Sequence, residues 1–142
     1  GVNFVIDGLS RMRGGEIFVP KIPSVKIVDL ARVIAPECDQ KVIGIRPGEK
    51  LHEVMVSEDD ARNTLELEDR YVIQPSHSFW DPEGFRTDHG GSPCEDGFVY
   101  QSDTNPQWLD DAQIADLVHL VESDPNIKVK PKVGEPTFFS GA

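Results

Sequence analysis

Apolar residues recur at spacings of three and four in three stretches of the chain, and this period predicts three amphipathic helices. The stretches are residues 2–13, 24–35 and 107–124. Gly14-Gly15 ends the first pattern and Pro36 ends the second. Ser24 is the predicted N-cap of the second helix and Asp110 or Asp111 that of the third, because their side-chain oxygens can accept from free N–H groups. The first pattern begins at residue 2, with no Met and no cap before it. We therefore expect the chain to be part of a longer protein.

Short runs rich in β-branched residues predict three strands, over residues 16–19, 41–46 and 70–74. Pro20 and Pro23 follow the first strand and predict a stiff connection, because proline cannot donate to a sheet. The run at 41–46 predicts a buried central strand. Pro47-Gly48 then predicts a turn, and the apolar spacing of residues 49–56 predicts a short helix after it.

The composition changes in the second half of the chain. Residues 76–106 hold several glycines, prolines and aspartates without a sustained period, which predicts a long loop anchored by Phe79, Trp80 and Phe85. Residues 125–142 are rich in lysine, proline and glycine and are predicted to form a mobile tail. The sequence thus predicts an α/β region over residues 1–75, the loop region over 76–106, a C-terminal helix over 107–124 and the tail.

The charge balance argues against two classes of partner. Lys and Arg number 14 against 25 Asp and Glu, which gives a net charge of −11. Nucleic acids and anionic membranes attract basic surfaces, so we expect neither as a partner. No apolar run reaches the roughly 20 residues of a transmembrane helix, and we expect no secretory signal. Cys38 and Cys94 form no C-x-x-C pair, so we expect reduced thiols in a cytoplasmic protein.

Two opposite charges, Arg46 and Glu49, flank the predicted turn at Pro47-Gly48. Ligands of open α/β sheets bind at the carboxyl ends of the strands, and Arg46 stands at the end of the predicted strand 41–46. A guanidinium offers a planar fork of donors to a phosphate, and a carboxylate can accept from a ribose diol. The alternative is a local salt bridge that holds the turn and contributes at most about 1 kcal/mol.

The same stretch carries a family resemblance. Residues 45–53 read I-R-P-G-E-K-L-H-E, and residues 15–24 read G-E-I-F-V-P-K-I-P-S. Together with weaker likeness at 66–75 and 105–109, they resemble the C-terminal part of the inverting UDP-N-acetylglucosamine 4,6-dehydratases. These are polysaccharide and flagellin-sugar biosynthesis enzymes of the extended short-chain dehydrogenase/reductase superfamily. The resemblance implies that Arg46 and Glu49 contact the diphosphate and the ribose of a UDP-sugar.

Other polar residues near this signature have plainer interpretations. Lys50, His52 and Glu53 are expected on a solvated helix face. Lys21 and Lys26 lie near the proline-rich connection, which resembles a substrate-lining segment. The four histidines and two cysteines show no metal-ligand spacing, so we assign no metal.

The residues that the resembled enzymes need for catalysis are missing from this sequence. A short-chain dehydrogenase seats the pyrophosphate of NAD(P) on a glycine-rich turn between its first strand and helix. No G-x-x-G-x-x-G motif occurs, and Gly90-Gly91 follows no predicted strand. Tyr71 and Tyr100 are not followed by lysine at the fourth position, so no Tyr-x-x-x-Lys pair is present. The resemblance places NADP and the catalytic residues in the part of the full-length enzyme before residue 1, so we expect no cofactor in this chain.

The helical and strand periods predict an α/β fold, and the resemblance implies that it corresponds to the C-terminal, substrate-binding portion of an extended short-chain dehydrogenase/reductase without its Rossmann half. The predicted function is binding of a nucleotide sugar without catalysis, and the predicted ligand is a UDP-sugar held weakly or not at all. The alternative is a stand-alone binding or oligomerisation module, and we expect a homo-oligomer because an apolar face would remain uncovered. An independent hydrolase is a third possibility, but the Asp and His residues of the long loop show no triad spacing.

Overall fold

The computed structural model describes residues 1–124 as a mixed α/β fold. Its helices are α1 (Val2–Arg11), α2 (Ile27–Ile34), α3 (Glu58–Ala61), α4 (Pro82–His89) and α5 (Asp111–Ser123). Its strands are β1 (Ile17–Pro20), β2 (Val54–Val56), β3 (Thr64–Glu66), β4 (Arg70–Ile73), β5 (Ser92–Pro93) and β6 (Tyr100–Gln101). No helix within the described range is long and apolar enough to cross a membrane. The predicted tail, residues 125–142, lies outside the described residues.

Four strands form an antiparallel sheet in the order β1-β4-β3-β5. Strand β4 is interior to this sheet, and successive side chains of a strand point to opposite faces. Tyr71 and Val72 therefore enter two different cores. Burial on both faces explains why residues 70–73 are almost continuously apolar after Arg70. The predicted strands at 16–19 and 70–74 are confirmed within one residue at their ends.

The two faces of the sheet carry separate hydrophobic clusters. The first cluster consists of Val19, Val56, Tyr71 and Tyr100. Val56 and Tyr100 belong to the second antiparallel pair, β2 with β6, so this pair packs on the same core. The second consists of Leu65, Leu67, Val72 and Phe85. Helix α4 thus covers one face through Phe85, which has no exposed surface.

Contacts divide the chain into two units. The first unit contains residues 1–24 and 41–108, and the second contains residues 25–40 and, of the described residues, 109–124. In the second unit α2 packs against α5. Arg32 donates to both carboxylate oxygens of Asp111 at 2.8 and 3.0 Å, and Ile114 is buried. The four sequence ranges 1–75, 76–106, 107–124 and 125–142 were predicted from composition and periodicity, whereas the two units are defined by contacts. The four ranges therefore stay predictions.

The predicted strand at 41–46 and the predicted helix at 49–56 are wrong. Residues 41–46 have no regular structure, and Val42 is 91% exposed. Gly44 has a φ of +84°, which takes the backbone out of the extended region. No strand of the described residues pairs with this run, so its apolar side chains have no sheet to cover. Val54–Val56 forms β2 instead of a helical turn, because it pairs with β6.

Two further sequence predictions need correction. Ser24 does not cap α2, which begins after Lys26. Ser24 is bridged to Trp108 instead, with its amide donating to the Gln107 carbonyl at 2.8 Å. The predicted loop at 76–106 contains α4, β5 and β6. Its helix begins at Asp81-Pro82, where Asp81 Oδ1 accepts from the Gly84 amide at 3.0 Å.

Candidate functional site

Arg46 and Glu49 lie on either side of a tight turn in the first unit. The Glu49 amide donates to the Arg46 carbonyl at 3.0 Å, which closes a four-residue turn around Pro47 and Gly48. Gly48 has a φ of +85°, as the third position of a type II turn requires, and proline is favoured at the second position. This sequence therefore folds locally into the turn that brings the two side chains together.

The Glu49 carboxylate accepts two hydrogen bonds from Arg46. The Arg46 amide donates to Oε2 at 2.8 Å and the guanidinium Nε donates to Oε1 at 2.6 Å. The backbone N–H and then the guanidinium lower the pKa of Glu49 below its usual value, because both stabilise the charged carboxylate. One backbone donor and one guanidinium donor thus converge on a single anionic group, and the Arg46 side chain is 76% exposed. The arrangement can bind an oxyanion at the surface.

The backbone around Arg46 and Glu49 differs from the one that the sequence predicted. Arg46 does not stand at the end of a strand, because residues 41–46 are irregular. The local salt bridge that was the alternative interpretation is present in the structure. Whether the same two side chains also contact a ligand stays a prediction, and it rests on the resemblance rather than on a strand-edge position.

The other candidates have partners or positions of their own. Lys50 and Glu53 form an exposed pair with 3.9 Å between Nζ and Oε2, and no helix presents them. Lys21 donates from Nζ to Glu66 Oε1 at 2.8 Å and lies 4.9 Å from the centre of the Tyr71 ring. Lys21 is therefore already engaged on the sheet. Lys26 belongs to the second unit as the cap position of α2.

The structure also contains an ionic cluster that the sequence did not reveal. Arg70 is buried at the start of β4, and its guanidinium donates to both oxygens of Asp69 at 2.9 and 2.6 Å. Asp7 of α1 lies 2.5 Å from Arg70 Nη2, and the ring of Phe4 lies 4.7 Å from the guanidinium carbon. Arg70 lowers the pKa of Asp69, and Asp69 in turn raises that of Arg70. The cluster attaches α1 to the sheet, and no spacing rule would have paired Asp7 with Arg70.

A solvent-open cleft of about 500 Å³ lies elsewhere in the first unit. Glu66, Glu68 and Asp69 line it, together with Arg11 and His89. Three carboxylates repel an anionic ligand, and neither Arg46 nor Glu49 reaches this cleft. The cleft is therefore not a site for a diphosphate.

The glycine pair Gly90-Gly91 does not fit the pyrophosphate of a dinucleotide cofactor. A pyrophosphate needs a glycine turn that follows a strand and opens a helix. Gly90 instead follows the end of α4, and a Cβ on Gly91 would meet the Glu66 carbonyl at 2.9 Å. This close approach is to the protein's own sheet and leaves no cradle for a phosphate. Nor does any group of three or more His, Cys, Asp or Glu within residues 1–124 have an arrangement that could hold a metal ion.

Comparison with known proteins connects this chain to sugar-polymer biosynthesis. Residues 1–75 match the family described as polysaccharide biosynthesis protein. An inverting UDP-N-acetylglucosamine 4,6-dehydratase of Campylobacter jejuni serotype O:23/36 is 47% identical over 126 residues, and one of serotype O:2 is 46% identical. The alignments cover 86% of this chain but 38% of each relative. An uncharacterized membrane protein of Methanocaldococcus jannaschii is 40% identical over 85 residues, covering 52% of this chain and 26% of that protein.

A solved structure supports the fold. The X-ray structure of Pen from Bacillus thuringiensis superposes with a TM-score of 0.64 at 24% identity. It covers 82% of this chain and 35% of that one. The predicted α/β fold class is confirmed, and the likeness is to one portion of a longer chain. Because its family match spans more than half of its residues, this chain is a member of the polysaccharide biosynthesis protein family.

Proposed function

We propose that this chain is a nucleotide-sugar-binding region, similar to the corresponding part of UDP-N-acetylglucosamine 4,6-dehydratase, and that it does not catalyse the dehydration. The observation that carries the proposal is the identity of 46–47% to two such dehydratases over most of this chain. The turn at Arg46–Glu49 supports it, because two donors converge there on a carboxylate that a phosphate can replace. NADP would belong to the longer protein, and a cytoplasmic location is part of the proposal.

In the proposed site Arg46 and Glu49 contact different parts of the UDP-sugar. Arg46 contacts the diphosphate through its guanidinium fork and its amide, and Glu49 turns to accept from the ribose hydroxyls. The site is shallow, with Arg46 mostly exposed, so the entropy of binding is only weakly offset. We therefore expect a dissociation constant of about 1 mM for UDP.

The test is an NMR titration of the isotopically labelled chain with UDP. We expect the amides of Arg46 and Glu49 to shift as UDP is added, and Arg46→Lys to weaken binding by about 1–3 kcal/mol because it loses the fork. Arg86→Lys is the control, since Arg86 forms a surface pair with Glu83 three residues away at 2.7 Å, with the two side chains 45 and 75% exposed. If UDP shifts the amide signals equally in Arg46→Lys and Arg86→Lys, the Arg46–Glu49 turn has a purely structural role.

A second candidate function is association, and one observation favours it. One apolar face of α1 is exposed, with Val5, Ile6 and Leu9 between 60 and 64%. Contiguous apolar surface of this kind marks a protein interface. In this alternative the chain is a stand-alone oligomerisation module without enzymatic activity, and the partner is another copy of it.

A further inference from the structure

The proline-rich connection after β1, residues 21–24, is held by side chains instead of by a neighbouring strand. Ile22 is followed by Pro23, which has no N–H group to donate to a sheet. Tyr100 Oη accepts from the Ile22 amide and donates to the Ile22 carbonyl, both at 2.9 Å. Asn105 Nδ2 donates to the same carbonyl at 2.7 Å. These two side chains give Ile22 the hydrogen bonds that a paired strand would give.

The last residue of the proline-rich connection belongs to the same network. Asn105 Nδ2 also donates to Ser24 Oγ at 3.1 Å, and Ser24 Oγ donates to the Ser102 carbonyl at 2.8 Å. Asn105 is 8% exposed, whereas Ile22 is 52% exposed. Burying an amide is costly unless its hydrogen bonds are made, and a bonded polar network fixes the arrangement of the groups that it joins. The effect of burying Asn105 is therefore to fix a segment that is itself exposed.

Ser102 extends this network to the signature that ends at Glu53. The two residues lie opposite each other in the register that pairs Val54 of β2 with Gln101 of β6. Residues paired in this way in an antiparallel ladder normally exchange both backbone N–H···O bonds. Here the Ser102 amide donates to the Glu53 carbonyl at 2.9 Å, but the Glu53 amide donates to Ser102 Oγ at 3.1 Å. The hydroxyl takes the place of the Ser102 carbonyl, which accepts from Ser24 instead.

We propose that Ser102 is a positioning residue of the proposed nucleotide-sugar site. Its hydroxyl allows one residue to bond both Ser24 and Glu53, which joins the proline-rich connection to the end of the signature. Residues 50–52 alone separate Glu53 from the Arg46–Glu49 turn, so fixing Glu53 restricts the positions that the turn can take. A turn that is restricted before the ligand arrives loses less entropy on binding. The inference rests on the proposed function, because it needs a UDP-sugar at the turn.

An NMR titration of the full chain with UDP tests the proposal. Ser102→Ala removes the acceptor of the Glu53 amide, and Ser102→Thr keeps it. We expect Ser102→Ala to raise the dissociation constant for UDP about threefold to tenfold, the scale of one hydrogen bond, and Ser102→Thr to keep the wild-type value. In the ligand-free chain, Ser102→Ala should also lower the ¹⁵N heteronuclear NOE of the amides of residues 50–53.

Two further variants separate positioning from loss of stability. Ser10→Ala is the control, because the Ser10 hydroxyl donates within α1 to the Asp7 carbonyl at 2.7 Å, and it should leave the affinity for UDP unchanged. Ser24→Ala removes the donor to the Ser102 carbonyl and should weaken UDP binding, so it decides the question if Ser102→Ala does not fold. The melting temperature of each variant is measured as well. A purely structural role would lower the melting temperature and leave the dissociation constant unchanged.

The outcomes distinguish this inference from the proposed function. If UDP shifts no amide of the Arg46–Glu49 turn in the wild type, the proposed function fails and the positioning role fails with it. If the wild type binds UDP and Ser102→Ala binds it equally well, only the positioning role is refuted. The positioning role is also refuted if Ser10→Ala weakens binding as much as Ser102→Ala, or if Ser102→Thr binds as weakly as Ser102→Ala.

Discussion

Arg70 is the residue on which attachment of α1 to the sheet depends. Its side chain is 3% exposed, and its guanidinium donates two hydrogen bonds to the Asp69 carboxylate. Its Nη2 also contacts Asp7 of α1. Lysine keeps the charge but offers no planar fork. We expect Arg70→Lys to lower the free energy of unfolding by about 1–3 kcal/mol, less than for a fully buried pair because Asp69 is largely exposed. Urea denaturation measures it, and Arg86→Lys at the surface, with an effect of about 0.5 kcal/mol or less, is the control.

The same cluster predicts a pH dependence with a definite sign. The pKa of Asp69 is lowered below its usual 3.8 in the folded chain, chiefly by the hydrogen bonds from Arg70. A lowered pKa adds stability that is present above the unfolded value and is lost as pH falls through the folded value. The difference in unfolding free energy between wild type and Arg70→Lys should therefore be constant from pH 7 to about 5 and shrink below about 4. A difference that grows on acidification would contradict this assignment.

Single residues were predictable where their role is local. The turn at Pro47-Gly48 follows from proline and glycine in adjacent positions, because φ preferences act within four residues. The contact between Arg46 and Glu49 was foreseen as an alternative for the same reason. The pairing of Asp7 with Arg70 was not foreseeable, because it depends on how α1 lies against β4. Phe79, a predicted anchor, is 74% exposed, whereas Phe85 is buried as expected.

At the level of elements, the start of α5 depends on a capping box. Asp110 Oδ1 accepts from the Gln113 amide at 2.9 Å, and Gln113 Oε1 accepts from the Asp110 amide at 3.0 Å. We expect Asp110→Ala to destabilise the second unit by about 1 kcal/mol, because the Gln113 N–H loses its side-chain acceptor. Thermal unfolding followed by circular dichroism measures this. Asp116→Ala, on the exposed face of the same helix, is the control and should leave the melting temperature unchanged.

Elements with their own end signals were predicted well, and elements that need a partner were not. Helices α1 and α5 follow from the apolar period and, for α5, from Asp110. The run at 41–46 has the composition of a strand, but a strand exists only where another strand accepts its hydrogen bonds. Helix α4 was missed because its period is weak, although Asp81-Pro82 is a start signal that sequence alone could have used.

For the molecule as a whole, the fold class was predictable and the arrangement of strands was not. The mixture of helical and strand periods indicates α/β, and the comparisons confirm it. The order β1-β4-β3-β5 depends on long-range pairing that no local pattern encodes. The predicted site was placed by the signature at residues 45–53, while the strand-edge argument for it was wrong.

The proposed lack of catalysis can be tested directly by an activity assay of the whole chain. The sequence has no Tyr-x-x-x-Lys pair, and Gly90-Gly91 does not form a cradle for a pyrophosphate. Purified chain incubated with UDP-N-acetylglucosamine and NADP is therefore expected to yield no 4-keto-6-deoxy sugar. The Campylobacter jejuni relative, assayed in parallel, is the positive control. Product above the background of a chain-free reaction would refute the non-catalytic assignment.

Association of the whole chain is the last prediction, and it follows from α1. Five apolar side chains of this amphipathic helix and its C-cap lie 45–75% exposed: Val2, Val5, Ile6, Leu9 and Met12. At about 25 cal/mol per Å² the burial of such a face against another copy offsets part of the entropy of association. The net charge of −11 opposes association, so raising the salt concentration should strengthen it by screening.

We expect a dimer or larger species in sedimentation velocity at about tens of micromolar, the range in which moderate apolar interfaces associate. Ile6→Glu places a charge in the middle of the apolar face of α1 and should yield monomer while leaving the circular dichroism spectrum unchanged. Ile27→Glu is the matched control, because Ile27 is similarly exposed on α2 of the other unit. If the unmodified chain sediments only as a monomer, α1 does not drive self-association. If both variants dissociate equally, the interface is not specific to α1.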